Sequence, residues 1–117
     1  MRYSVEYIGK NGERNNIVFV FDDPYSHVGV FLWAEVSSLE RYVKYIDDVL
    51  DGKRDSDEVD GNAYCVYIKK DFSVIEDMLA EKDDESVRCT VDTMELKKII
   101  LAYIQKRKEF LKTKEDS

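Results

Sequence analysis

At 117 residues the chain has room for one hydrophobic core and not two, so it is read as a single domain spanning residues 1–117. Its 44% apolar and 12% aromatic content lies well above the disordered regime, and no run approaches the roughly 18 apolar residues of a membrane helix. A net charge of −7 argues against direct contact with phosphate backbones, so no nucleic-acid or membrane partner is expected.

In chain order, Tyr3, Val5 and Tyr7 alternate with polar neighbours as in a strand, with no apolar signal segment before them. On that reading the protein is cytoplasmic. Gly9-Lys10-Asn11-Gly12 marks a turn into a second strand, Ile17-Val18-Phe19-Val20-Phe21, which Asp22-Asp23-Pro24 ends because proline lacks the donor a ladder needs. Leu32, Val36, Leu39, Val43, Ile46 and Leu50 then recur at spacings of three and four, the seam of one amphipathic helix starting somewhere between Ser26 and Ala34. Glu35, Glu40, Lys44 and Asp47 fall on its other faces, and Asp51-Gly52 stops it.

Lys53 to Asp60 is too polar to pack and reads as an exposed loop or the frayed start of a strand. Ala63 to Ile68 is a strand with Tyr64, Val66 and Ile68 on one face and Ala63, Cys65 and Tyr67 on the other. A turn at Lys69-Lys70-Asp71 pairs it with Phe72 to Met78. Val87, Cys89 and Val91 make a further strand after an acidic loop from Glu81 to Glu85. Asp92 with Glu95 resembles a capping box for a last helix striped by Leu96, Ile99, Ile100, Tyr103, Ile104, Phe110 and Leu111, its end from Lys112 to Ser117 frayed. The order β-β-α-β-β-β-α predicts an α+β fold: an antiparallel sheet of about five strands with two amphipathic helices on one face.

The residue types for catalysis are scarce. His27 is the sole imidazole, so Ser26 or Cys65 as a nucleophile would have no other base, and adjacency of Ser26 to His27 does not create triad geometry. One His and two separated Cys do not supply four zinc ligands, and Cys65 and Cys89 are read as reduced thiols. Asp55 to Asn62 has the flavour of a calcium loop, but position five is Val59, Gly61 falls at seven and position twelve is Val66. There is no phosphate-binding glycine motif. No cofactor or metal is expected, and no enzyme.

Acid is segregated instead. Seven carboxylates lie between Asp47 and Asp60 against Lys53 and Arg54, leaving −5; nine lie from Asp71 to Glu95 against Lys82 and Arg88, leaving −7; the stretch from Lys97 onward carries +4. Such a pattern suits recognition of a basic protein, with aromatics such as Tyr64, Tyr67 and Trp33 as anchors. The candidate contacts are Asp55, Asp57, Glu58, Asp60, Tyr64, Tyr67, Asp83, Asp84 and Glu85.

A helix ending Ile46-Asp47-Asp48-Val49-Leu50-Asp51-Gly52-Lys53, an acidic loop, then Asp60-Gly61-Asn62-Ala63-Tyr64, a strand, a turn at Asp71 and Val74-Ile75 follow one another. This series resembles the small bacterial immunity proteins of toxin–immunity pairs, including those of contact-dependent growth inhibition systems. The resemblance covers about residues 30–105. It implies a protein that binds a cognate toxin domain, often a nuclease, inside the producing cell and occludes its active site without catalytic residues of its own. No contact residue transfers, because contacts differ between toxin pairs. A homodimer is left open. The rival readings are an acidic adaptor domain with no toxin, and a small enzyme using loop carboxylates.

Overall fold

A computed structural model describes residues 2–9, 16–79 and 88–115, with side chains as far as 112. Strands β1 (Tyr3–Ile8) and β2 (Asn16–Phe21) form an antiparallel hairpin. Helix α1 (Ser26–Ala34), a 3-10 turn (Val36–Ser38) and helix α2 (Leu39–Leu50) follow. Strands β3 (Ser56–Asp60), β4 (Tyr64–Lys69), β5 (Phe72–Asp77) and β6 (Arg88–Asp92) then form an antiparallel sheet in sequence order, and helix α3 (Thr93–Glu115) closes the chain.

The fold is α+β, but the expected single sheet of about five strands is two sheets, of two and four strands, and the expected two helices are three. The chain leaves β2 for helix α1, which packs so closely on the hairpin that a Cβ at Gly29 would run into the Phe19 carbonyl, and β2 pairs with β1 while β3 to β6 form their own sheet. The predicted continuous helix also breaks. Ser38 Oγ donates to the Glu35 carbonyl at 3.3 Å, a local bond that competes with helical pairing, and the 3-10 turn separates α1 from α2.

Lys53 to Asp60 is not all loop. Ser56–Asp60 pairs with β4 in register, Glu58 opposite Tyr67 and Asp60 opposite Cys65, because the alternation of Asp57 and Val59 with three exposed neighbours has the period of two that a sheet edge accepts. The predicted hairpin of Ala63 to Ile68 with Phe72 to Met78 is present as Tyr64–Lys69 paired with Phe72–Asp77, and Asp92 Oδ1 accepts from Glu95 N at 2.9 Å, one of the two bonds of the predicted capping box. Helix α3 runs on to Glu115, past Lys112, where the sequence suggested fraying.

All three helices pack on one face of the four-stranded sheet, and α1 and α3 also touch β2. Tyr64, Val66, Ile68, Ile75, Cys89 and Val91 point inward to meet Phe31, Leu32, Tyr42, Ile46, Leu96, Ile100 and Tyr103 in one core. The hairpin is joined to it by Tyr103, whose hydroxyl donates to the Ile17 carbonyl at 3.0 Å and whose ring meets Phe19 edge-on. No described helix is long and apolar enough to cross a membrane.

One side chain placed on the wrong face by helical periodicity organises the middle of the chain. Glu35, at the end of α1, is fully buried. Its carboxyl oxygens accept from Asn62 N at 2.5 and 2.8 Å and from Ala63 N at 3.1 Å, holding the β3–β4 turn against the helix. Gly61 packs directly on this carboxyl, and any Cβ there would overlap it.

Candidate partner-binding face

Among the described residues no helix or further strand covers the sheet face opposite the helices, here called the bare face, and strand register decides what it displays. Glu58 and Asp60 on β3, Cys65 and Tyr67 on β4, Phe72, Val74 and Glu76 on β5, and Arg88 on β6 share it. Tyr67, Lys69, Phe72, Val74, Glu76 and Arg88 line a shallow depression of about 340 Å³. Lys69 Nζ sits 5.3 Å from the Phe72 ring centroid, and Arg88 Nε is paired with Glu76 at 3.2 Å.

At the β3 edge, Glu58, Asp60 and Cys65 bring their ligand-capable atoms within 4.8 Å of one another. Cys65 is the buried floor of this group, its thiol donating to Glu58 Oε1 at 3.8 Å. Burial first, then its hydrogen bond to Asp60, pushes that thiol up to about 12, so it is neutral at physiological pH. Tyr67 is raised as well, chiefly by its hydrogen bond to Cys65. The two exposed carboxylates have no cationic partner among the described residues, whereas Asp47, Asp48 and Asp57 are paired with Lys97, Lys53 and Arg54. Three donor atoms, one a protonated thiol, fall short of a closed metal site.

The sequence-based candidates divide across this geometry. Glu58, Asp60 and Tyr67 come together on the bare face. Tyr64 does not: it points inward, 3% exposed, its hydroxyl 3.0 Å from His27 Nδ1, so it is a core residue rather than a surface anchor. Asp57 also turns to the helix side, bridging Arg54 at 3.5 Å and accepting from Glu58 N at 2.9 Å. Asp55 is exposed in the bend before β3. Asp83, Asp84 and Glu85 lie outside the described residues. Phe72, Val74, Glu76 and Arg88 were not singled out from sequence, although Phe72-Ser73-Val74-Ile75-Glu76 alternates in a way that would have placed three of them on one side.

Among curated proteins, one from Bacillus cereus named "Immunity protein" is 38% identical over 85 residues, covering 72% of this chain and 72% of its own length. The chain belongs to the immunity proteins. No protein-family model matches it, and no solved structure matches it.

In this immunity protein the Asp60-Gly61-Asn62-Ala63-Tyr64 segment, which carried much of the resemblance, is built around Glu35 and the core rather than around a surface. The two cysteines cannot bridge each other: Cys65 lies on the bare face and Cys89 on the helix face, with β5 between their strands.

Their chemistry predicts alkaline behaviour. The Cys65 and Cys89 thiols are raised by burial, and burial lifts the Tyr64 hydroxyl to about 12. A group whose folded value is raised keeps its proton in the fold while the unfolded chain gives it up. Its contribution is therefore complete below the unfolded value near 9 to 10 and is lost as pH climbs toward 12. Urea midpoints are expected to hold level to about pH 8.5 and fall steadily above it. A midpoint unchanged up to pH 11 would contradict the burial of these groups.

Proposed function

We propose that the chain neutralises a cognate protein toxin, a basic nuclease domain, by seating it on the bare face of the four-stranded sheet and covering its active site. The observation that carries this reading is the pair Glu58 and Asp60. They are exposed, without a cationic partner among the described residues, and fixed by strand register beside Tyr67 and the apolar depression next to it. Acid at the rim draws a cationic partner in and fixes its register, and an aromatic held by a rigid strand supplies contact area at low entropic cost. A basic nuclease fits because its substrate groove displays the cations that these carboxylates would occupy. Membership of the immunity proteins supports a toxin as the partner rather than an adaptor role. The protein acts without turnover, inside the cell that makes the toxin, and the setting is a contact-dependent growth inhibition system.

The test uses the toxin domain encoded beside this gene. The purified immunity protein alone is expected to leave RNA, DNA and ester substrates untouched, and a stoichiometric amount is expected to bring the toxin's nuclease activity to background. Turnover by the immunity protein that disappears on His27→Ala or on Glu58→Gln would overturn the non-enzymatic reading. A neighbouring toxin that shows no nuclease activity, or that stays fully active in the mixture, would overturn the choice of target.

A further inference from the structure

Helices α2 and α3 run antiparallel. Lys97, near the start of α3, reaches Asp47 near the end of α2 at 2.6 Å, and Lys108 reaches Glu40 in the first turn of α2 at 3.9 Å. This brings a basic turn of α3 to the start of α2. Tyr103, Ile104, Arg107 and Lys108, three and four residues apart, share the side of α3 that faces it. Across a cleft of about 320 Å³ they meet Val36, Leu39 and Glu40. No side chain caps this end of α2, the Ser38 hydroxyl being turned to the Glu35 carbonyl, and the amino end of a helix carries partial positive charge. Arg107 takes part in none of the ion pairs among the described residues. Its Nε is shielded from water and has no acceptor among them. A shielded guanidinium donor without an acceptor is costly, and few native folds keep one to no purpose.

We infer that this cleft binds a small monocarboxylate with an apolar body, its carboxylate held by Arg107. Charge and lining together select that ligand. Arg107 and Lys108 outnumber Glu40 by one charge, which a single carboxylate neutralises and a phosphate dianion exceeds. A guanidinium presents two N–H groups side by side, matched to the two oxygens of a carboxylate. Glu40 does not fill that role, because its own carboxylate is 80% exposed and turned to Lys108. Val36, Leu39, Ile104 and the Tyr103 ring supply apolar walls that bury a hydrocarbon body and give a bare inorganic anion nothing. The Tyr103 hydroxyl is already engaged with the Ile17 carbonyl and does not compete for the ligand. The cleft lies on the helix side of the four-stranded sheet, so the inference stands independently of what the bare face binds.

Titration of the full chain with octanoate below its micelle concentration, followed by backbone amide chemical shifts, tests it. The expected result is saturable binding with shifts concentrated at residues 36–41 and 103–108. Octanol, the same body without the charge, and inorganic phosphate, charge without the body, are each expected to bind about tenfold more weakly or worse. Arg107→Gln is expected to raise the Kd for octanoate about tenfold or more, and Glu58→Gln to leave it unchanged. If Arg107→Gln disturbs folding, as judged by circular dichroism, Lys108→Gln decides the matter from an exposed position. It removes the surplus charge of the cleft and is expected to raise Kd about threefold, as for an exposed charge. Absence of saturable binding overturns the inference, as do shifts centred elsewhere or a Kd unchanged in the folded variant. Octanol that binds as tightly as octanoate overturns it by showing a merely apolar cleft. Phosphate that binds as tightly overturns it by showing an anion site with no use for the apolar walls.

Discussion

Replacing Glu35 with alanine is expected to lower the unfolding free energy by about 3–5 kcal/mol, the combined effect of two orphaned backbone N–H groups and the cavity left behind. Glu35 is 0% exposed and accepts from Asn62 N and Ala63 N, and both donors lie in the turn that joins β3 to β4. Without the carboxyl these donors have no acceptor among the described residues, and the edge strand loses its attachment to α1. Glu35→Gln keeps one acceptor oxygen and is expected to cost less, about 1–2 kcal/mol. Gly61→Ala attacks the same junction from the other side. Gly61 does not have a left-handed backbone; its requirement is for space, because an added Cβ would displace the carboxyl. That substitution should cost about 1–3 kcal/mol in the wild type and markedly less in the Glu35→Ala background, since the two positions share one interaction. Urea unfolding of the four proteins of this cycle supplies the numbers. Additive costs, or a Glu35→Ala change within about 0.5 kcal/mol of wild type, would show that the clamp does not hold the turn.

Neutralising Glu58 and Asp60 together, as Gln and Asn, is expected to slow association with a basic toxin about tenfold or more at low ionic strength. The gap should narrow as salt rises, because at about 0.15 M the screening length shrinks to roughly 8 Å. Stability should move by no more than about 1 kcal/mol, since both carboxylates are exposed and neither is paired with a cation among the described residues. Tyr67→Ala, beside them on β4, should act mainly on dissociation, as loss of an anchor does. Stopped-flow association rates against ionic strength separate these effects. If the double variant associates like wild type at every salt concentration, the acid at this edge is a solvated surface and the electrostatic part of the functional reading fails. A parallel variant neutralising Asp83, Asp84 and Glu85 shows whether acid outside the described residues shares the role.

Where a single period governs a segment, the sequence was a good guide. The alternation in Tyr64-Cys65-Val66-Tyr67-Ile68 separated its two faces correctly, and Asp92 with Glu95 marked the start of α3. Two interactions between distant segments were not visible. Helical periodicity put Glu35 in solvent, because its value to the fold comes from a turn about 27 positions later that no local pattern reports. The six apolar positions from Leu32 to Leu50 look like one seam even though a 3-10 turn divides them, since a change of axis leaves the spacing intact. The candidate face was half legible for a related reason. Polarity placed Lys53 to Asp60 in solvent, but pairing with β4 decides which carboxylates share a face with Tyr67, and that register depends on residues in another strand.

The two faces of the four-stranded sheet are also separated in what a change at each would cost. Tyr64, Val66, Ile68 and Ile75 make the core, while Glu58, Tyr67, Val74, Glu76 and Arg88, on the same or adjacent strands, do not reach it. Because consecutive residues point to opposite sides, the outer set can be rewritten one side chain at a time while the inner set, Glu35 and the Gly61 turn stay as they are. On the proposed use of this face, such a chain can change what it recognises through a few outer substitutions without passing through unfolded intermediates.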